Sequence, residues 1–279
     1  MTYLRFGLCL INSWPARVTV EMAAAADEAW WDGFFLWDHV TFPYPGVPME
    51  DPWTLLGAVA VKTKRIKLGT LVTPLPRRRP QILAKQLTTL DELSCGRAVL
   101  GVGIGGDPND FTAFGENASV SRRAEMLDEA LDVITALWSG ETVNHDGRHY
   151  HLKGVTLLPT PVQRPRILIY VGGDKLGALR RAARYDGWVP VGPAPDAGAP
   201  GLSLDQVKVS VDKIKDMRQS SSPFEVIYMA DFPKGEKVFR KYLENAGAAG
   251  VTWLIDNIYG LRYTEKQALK AIKAGPPKS

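Results

Sequence analysis

Along this chain the hydrophobic pattern keeps switching between short unbroken apolar runs and stripes that recur every three or four residues. The clearest instance lies between Lys67 and Gly115. Residues 67–73 (KLGTLVT) are aliphatic and β-branched without alternation, and Pro74 and Pro76 then end the run, because proline cannot donate to a ladder. Within 81–93, Ile82, Leu83, Leu87, Leu90 and Leu93 fall on one helical stripe. Gly96 stands where a C-terminal cap belongs, and 98–102 (AVLGV) is apolar throughout. Two strands buried on both faces with a helix between them make the parallel βαβ unit. Glycines at 101, 103, 105 and 106 leave room for something bulky against the end of the second strand.

The same alternation runs from end to end. Strands are predicted at 3–10, 33–38, 67–73, 98–105, 166–173, 187–191, 224–230 and 251–256. Helices are predicted at 19–31, 52–63, 80–93, 121–138, 176–185, 204–218, 234–246 and 264–274. Eight strands, each followed by a helix, predict an α/β fold: a single (β/α)8 TIM barrel over residues 1–279 rather than an open sheet. Residues 142–165 form a small insertion between helix 4 and strand 5, a hairpin turning at Asp146–Gly147 and then a proline-rich stretch. It carries His145, His149 and His151, three of the 4 histidines, but no closed set of four metal ligands, so a surface hairpin is expected.

Composition narrows the picture. Apolar residues at 45% and charged residues at 23% suit an ordinary globular enzyme. The net charge of +4 is spread along the chain without a basic, aromatic-interleaved face, which argues against nucleic acid as a partner. Arg77 to Arg79 is the one basic run, either a solvated loop or an anion contact. Asn12 and Pro15 break the N-terminal apolar run, and no apolar stretch of about 18 residues occurs, so neither a signal peptide nor a membrane span is expected. Cys9 and Cys95 fall towards opposite faces of a barrel; two unpaired thiols fit a cytoplasmic location.

In a barrel, chemistry gathers at the C-terminal ends of the strands. Here those ends supply Asn12, Asp38–His39, Leu71–Val72–Thr73, Gly105–Gly106–Asp107 with Asn109, Gly172–Gly173, Val191–Gly192, Asp231 and Asp256–Asn257. They offer backbone and glycine but no metal set and no nucleophile beside a base, a lining suited to a flat cofactor that carries the chemistry itself. His39 is the only histidine at this mouth, and Asp38 beside it would fix its tautomer or bind a polar cofactor edge. A purely structural Asp–His bond is the alternative. Gly172–Gly173, ahead of the helix 176–185, would offer N–H groups to a phosphate.

Several stretches together carry a family resemblance: WDGFFLWDH (31–39), DPWTLLGAVAVKTKRIKLGTLVTPLPRRRP (51–80), LTTLDELSCGRAVLGVGIG (87–105), DFTAFGE (110–116), RRAEMLDEALDVITALWSGE (122–141), GRHYHL (147–152), PVQRPRILIYVGG (161–173), LRRAARYDGWVPV (179–191) and GVTWLID (250–256). In this order they resemble the bacterial-luciferase-like superfamily of flavin- or F420-dependent oxidoreductases, the luciferase-like monooxygenases. The resemblance implies a barrel with a flavin-type ring, FMN or F420, across its mouth. It implies a non-prolyl cis peptide at Leu71–Val72 backing the ring. Asp38, Thr73 and Asn109 would contact the ring or its chain, Gly105 and Val191 would line it, and Gly172–Gly173 would bind its phosphate. His39 would transfer protons, with the loop 106–121 as a lid.

The implied reaction is monooxygenation, with dioxygen and a separate reductase as partners, or hydride exchange with a small organic substrate. A homodimer is left open. A non-catalytic flavin-binding protein and a cofactor-free barrel lyase or isomerase are the readings from other classes. Two departures stand out: Gly106 replaces the glutamate of F420-dependent sugar dehydrogenases, and Trp30 stands where a glycine is usual.

Overall fold

The computed structural model describes residues 4–41, 46–106, 109–192 and 201–277. The first half of the chain runs β1 (Arg5–Leu10), α1 (Ala16–Glu28), β2 (Gly33–Leu36), α2 (Pro52–Lys62), β3 (Lys67–Pro74), α3 (Pro80–Leu93), β4 (Ala98–Gly103), a short α4 (Asn109–Thr112) and α5 (Val120–Leu137). Next comes the hairpin β5 (Val143–Asp146) and β6 (His151–Val155). The chain then continues through β7 (Leu168–Gly172), α6 (Leu176–Ala182), β8 (Gly187–Val189), α7 (Leu204–Met217), β9 (Glu225–Ala230), α8 (Glu236–Ala248), β10 (Trp253–Ile258) and α9 (Glu265–Lys273). All strands outside the hairpin are parallel and close a barrel in the order β1-β10-β9-β8-β7-β4-β3-β2. This is the expected (β/α)8 barrel, with the expected hairpin inserted between α5 and β7.

The unbroken apolar runs reflect burial on both faces. Leu8, Leu10, Phe34 and Leu36 pack outwards against the helices, while Cys9 and Phe35 between them point into the barrel with Val99, Tyr170, Ile227, Trp253 and Ile255. At the bottom, Arg97 is only 9% exposed and donates to Ala60 O, Thr63 O and Oγ1, Ile66 O and Ser94 O at 2.7–3.0 Å. One guanidinium thus ties the ends of α2 and α3 to the start of β3. The hairpin is also tied down. Glu129 of α5 accepts from the His145 ring (3.0 Å) and from the N–H groups of His149 and Tyr150 (3.0 and 2.7 Å). Burial works against the ionised Glu129, but His145 and these amides outweigh it and hold the carboxyl below its ordinary value.

Two helix ends differ from expectation in an instructive way. After α3, the cap residue is Ser94 and the left-handed position is Cys95 (φ 53), with Gly96 (φ 81) one residue further on. After α1, Trp30 itself takes φ 67, its N–H bonded to Asp27 O and that of Trp31 to Ala26 O, the paired bonds of a Schellman motif. That explains why glycine is usual at this position: the turn demands a left-handed residue. Trp30 lies 71% exposed beneath the Arg65 guanidinium, 4.7 Å from the ring centre.

Candidate active site

The mouth is shaped first by β3. Its register against β4 shifts between Thr70 and Thr73, and the Leu71–Val72 peptide within that bulge is cis, as the resemblance implies. The bulge needs glycines on both neighbours. A Cβ on Gly101 would sit 2.1 Å from Thr70 O, one on Gly103 3.0 Å from Val72, and one on Gly172 3.1 Å from Val72. What lies against Gly101 and Gly103 is therefore the β3 backbone and Val72, rather than a ligand directly. Leu71 is buried at 3% and Val72 is half-buried. Val72, Trp37, Val191 and Met229 pack on the barrel-interior cluster from above and form an apolar floor. Below this floor Cys9 is sealed in, and burial pushes its thiol up to about 12, so it stays neutral.

Asp38 does not orient His39. It is 1% exposed, and its two oxygens accept five hydrogen bonds: from Trp53 Nε1, Thr73 Oγ1, Arg77, and twice from Arg78, at 2.6–3.3 Å. A carboxylate offers about four lone-pair sites, so none remains for a cofactor edge. Thr73 is likewise fully buried, its hydroxyl donated to Asp38 and 2.9 Å from Thr70 Oγ1. Both residues brace the wall behind the bulge instead of facing the mouth. The basic run is drawn in as well: Arg77 is 7% exposed in its side chain and pairs with Asp38 and Asp110, so it is neither a solvated loop residue nor a free anion contact.

The partner of His39 is Asp110. Its Oδ2 lies 2.6 Å from His39 Nδ1 and 2.8 Å from Arg77, while Oδ1 accepts from the Thr41 N–H at 3.4 Å. A carboxylate can only accept, so Nδ1 carries the proton and Nε2 is left as the ring's working nitrogen. Burial alone would raise the Asp110 pKa, but the bond from His39 and the charges of His39 and Arg77 outweigh it and hold the carboxyl below its ordinary value. The His39 ring sits 5.7 Å from the Trp37 ring, at the edge of the apolar floor. Asp110 belongs to α4, the one helix that periodicity does not predict. Its only sequence signal was membership of the DFTAFGE stretch. Because Asp110 and Phe111 are both buried, this part of the loop 106–121 is anchored rather than free to act as a lid.

The remaining expected positions divide. Gly105 has φ +87, and a Cβ there would strike the Phe111 ring at 2.7 Å, so its glycine serves this local packing. Gly106 meets nothing within 4 Å among the described residues. The side chain of Asn109 and all of Asp107 lie outside the described residues. Gly173 donates its N–H to Val189 O, and its carbonyl accepts from Trp188 Nε1 at 2.7 Å, which leaves that amide unavailable to a phosphate. Across the mouth, Arg262 bridges Asp256 (2.6 Å) and Asp231 (3.4 Å), and the Tyr259 hydroxyl donates to Asp231. Burial pushes both carboxyls up against the pull of Arg262. Asn12 Oδ1 and Asp231 Oδ1 are buried acceptors without a partner among the described residues. An apolar floor, a tautomer-locked imidazole at its edge and unfilled acceptors on its rim fit a flat heteroaromatic ring with polar edges.

Comparison with known proteins points the same way. The family model described as luciferase-like monooxygenase matches residues 7–202. A protein of Mycobacterium tuberculosis with no assigned function is 30% identical over 224 residues, 74% of this chain and 74% of that protein. The F420-dependent glucose-6-phosphate dehydrogenase of Microbacterium testaceum is 36% identical over 186 residues; the match covers 65% of this chain and only 54% of that enzyme. In three dimensions, the coenzyme F420 dependent tetrahydromethanopterin reductase from Methanopyrus kandleri aligns with a TM-score of 0.78 at 17% identity, over 98% of each chain, a likeness of fold. With the sequence model spanning β1 to β8 and the bulged third strand in place, the chain belongs to the luciferase-like monooxygenase family.

Proposed function

We propose that this oxidoreductase holds a flavin-type ring, FMN or F420, over the barrel mouth and acts on a small organic substrate with His39 as its proton-transfer group. The observation that carries the reading is the His39–Asp110 bond at the edge of the Val72 floor. Bound there, the reduced ring supplies the electrons, as hydride or through dioxygen. Val72 and Val191 offer it an apolar surface, and Asn109 and the backbone around Gly105 border it. Phosphate contact at the end of β7 falls to the amides beyond Gly173, whose own N–H is already bonded. His39 Nε2 takes up or gives back the proton that accompanies electron transfer, and Asp110 stabilises the imidazolium when it forms.

Asp38 and Thr73 act at one remove, by fixing Arg77 and the bulge. The sugar-phosphate oxidation named for the Microbacterium relative is not carried over, since Gly106 places no carboxyl at the mouth. The test is titration of the purified chain with FMN and with F420, followed by fluorescence. Saturable binding of one of them is expected. Binding of neither overturns the reading and leaves a cofactor-free barrel; tight binding of a ring that no donor reduces and no acceptor reoxidises leaves a binding protein.

A further inference from the structure

A cleft beside the hairpin carries chemistry that the barrel mouth does not use. It encloses about 340 Å³ between the β3–α3 turn, the first turns of α5 and residues His149 and Tyr150. A neighbouring hollow of about 280 Å³ shares Arg122 and His149 with it and opens past Ser119 and Ser121. Arg77 and Arg78 are committed to Asp38 and Asp110. Arg148 is committed to Glu125 at 2.8 Å. Arg79 and Arg122 differ: both are exposed at this cleft, and neither has an acidic partner within salt-bridge distance among the described residues.

The same lining carries two further donors. The Tyr150 hydroxyl belongs to a residue 8% exposed and Nε of Arg123 to one 3% exposed; both residues line the cleft, and both atoms are buried in its wall without a hydrogen-bond partner among the described residues. Burial, reinforced by the charge of Glu129, pushes the Tyr150 phenol up to about 12, so it remains a donor at neutral pH. At the same opening α5 begins without a side-chain cap from Ser119, which leaves the first N–H groups of an 18-residue helix, and the positive end of its dipole, for another acceptor. The acids in the lining are Glu116 and Glu125, and the latter already faces Arg148 and His149. Donors and cations thus outnumber the acids in one lining, the complement of a multivalent acceptor.

We infer that this cleft is a second ligand site, taking an oxyanion (the phosphate or carboxylate end of a small ligand) between Arg79, Arg122 and the Tyr150 hydroxyl. The inference stands on the cleft alone and holds whichever ring, or none, binds at the mouth. The oxyanion has two sources, a free phosphorylated ligand or the anionic tail of a cofactor seated at the mouth.

The test is calorimetric titration of the full chain with inorganic pyrophosphate at low ionic strength. Wild type is compared with the R79Q/R122Q double variant and with Y150F, whose folding is checked by thermal melting. The expected result is one saturable site in wild type, weakened about tenfold or more in the double variant and about threefold or more in Y150F, and weakened further by salt. No saturable binding by wild type overturns the site, as does a double variant or a folded Y150F that binds within about threefold of wild type. Repeating the titration with saturating FMN or F420 separates the sources. Competition assigns the oxyanion to the cofactor tail, and undiminished binding assigns it to a separate ligand.

Discussion

On the proposed reading, the chemistry at His39 rests on a single hydrogen bond. Asp110 fixes which nitrogen carries the proton, so removing either residue is expected to damage turnover by different routes. His39→Ala is expected to lower turnover by about 10²–10⁴-fold with little change in cofactor affinity, and added imidazole to restore part of it. Asp110→Asn keeps the shape but frees the tautomer, and a loss of at least about 10²-fold is expected in the same steady-state assay. Unchanged turnover in both would leave the pair a structural tie. Asp110 also gives the acid limb of stability a sign. Its folded pKa lies below the unfolded one, so its contribution is complete above the ordinary carboxyl value and drains as the pH falls through the folded pKa. Melting curves from neutral pH down to about pH 3 should therefore slope less steeply in Asp110→Asn than in wild type. Trp30 offers a backbone test. Trp30→Gly and Trp30→Ala both lose the Arg65 contact, but only alanine retains the left-handed cost. Denaturant melts should place the glycine variant about 1 kcal/mol above the alanine variant.

At the scale of the element, β3 can bulge only because β4 and β7 yield to it. Gly101 meets Thr70 O where a Cβ would stand, a backbone atom that cannot swing aside. Gly101→Ala is therefore expected to displace the bulge, costing several kcal/mol in denaturant melts and abolishing cofactor binding. Gly106→Ala, with no described residue within 4 Å of the added methyl, should leave stability within about 0.5 kcal/mol of wild type. Equal tolerance at both positions would mean that the bulge is not seated on β4. The same reasoning assigns Asp38 to architecture. It is buried against two arginines, so Asp38→Ala takes the closest carboxylate from Arg78 and leaves Arg77 with Asp110 alone, and should cost about 3–5 kcal/mol.

Across the whole molecule, the most heavily bonded arginine and the candidate site occupy opposite ends of the barrel. Arg97 gathers five acceptors from the ends of α2 and α3 and the start of β3 at the closed end, while His39, Val72 and Val191 stand at the open end. Arg97→Met leaves those buried acceptors unpaired and is expected to lower stability by more than about 3 kcal/mol while cofactor affinity, measured on the folded fraction, stays within about threefold. A parallel loss of affinity would show that the two ends are coupled. Among the described residues, no helix is long and apolar enough to cross a membrane.

The architecture was legible from local patterning alone. Period and proline punctuation report local burial and local backbone limits, so each barrel strand and each long helix was legible to within a few residues, as was the hairpin around Asp146–Gly147. The family motifs likewise pointed to the cis peptide. Contacts between distant residues were decided only by the tertiary structure. Asp38 is adjacent to His39 in the chain, yet successive residues leaving a strand point to opposite sides. Asp38 therefore turned into the wall towards Arg77 and Arg78, and Asp110, 71 positions away, took the imidazole. The glycines of β4 read as room for a ligand because a sequence cannot show that a neighbouring strand bulges into that room. Arg79 and Arg122, which meet no carboxylate among the described residues, became distinguishable from Arg77 and Arg78 only once folding had set which arginines are paired.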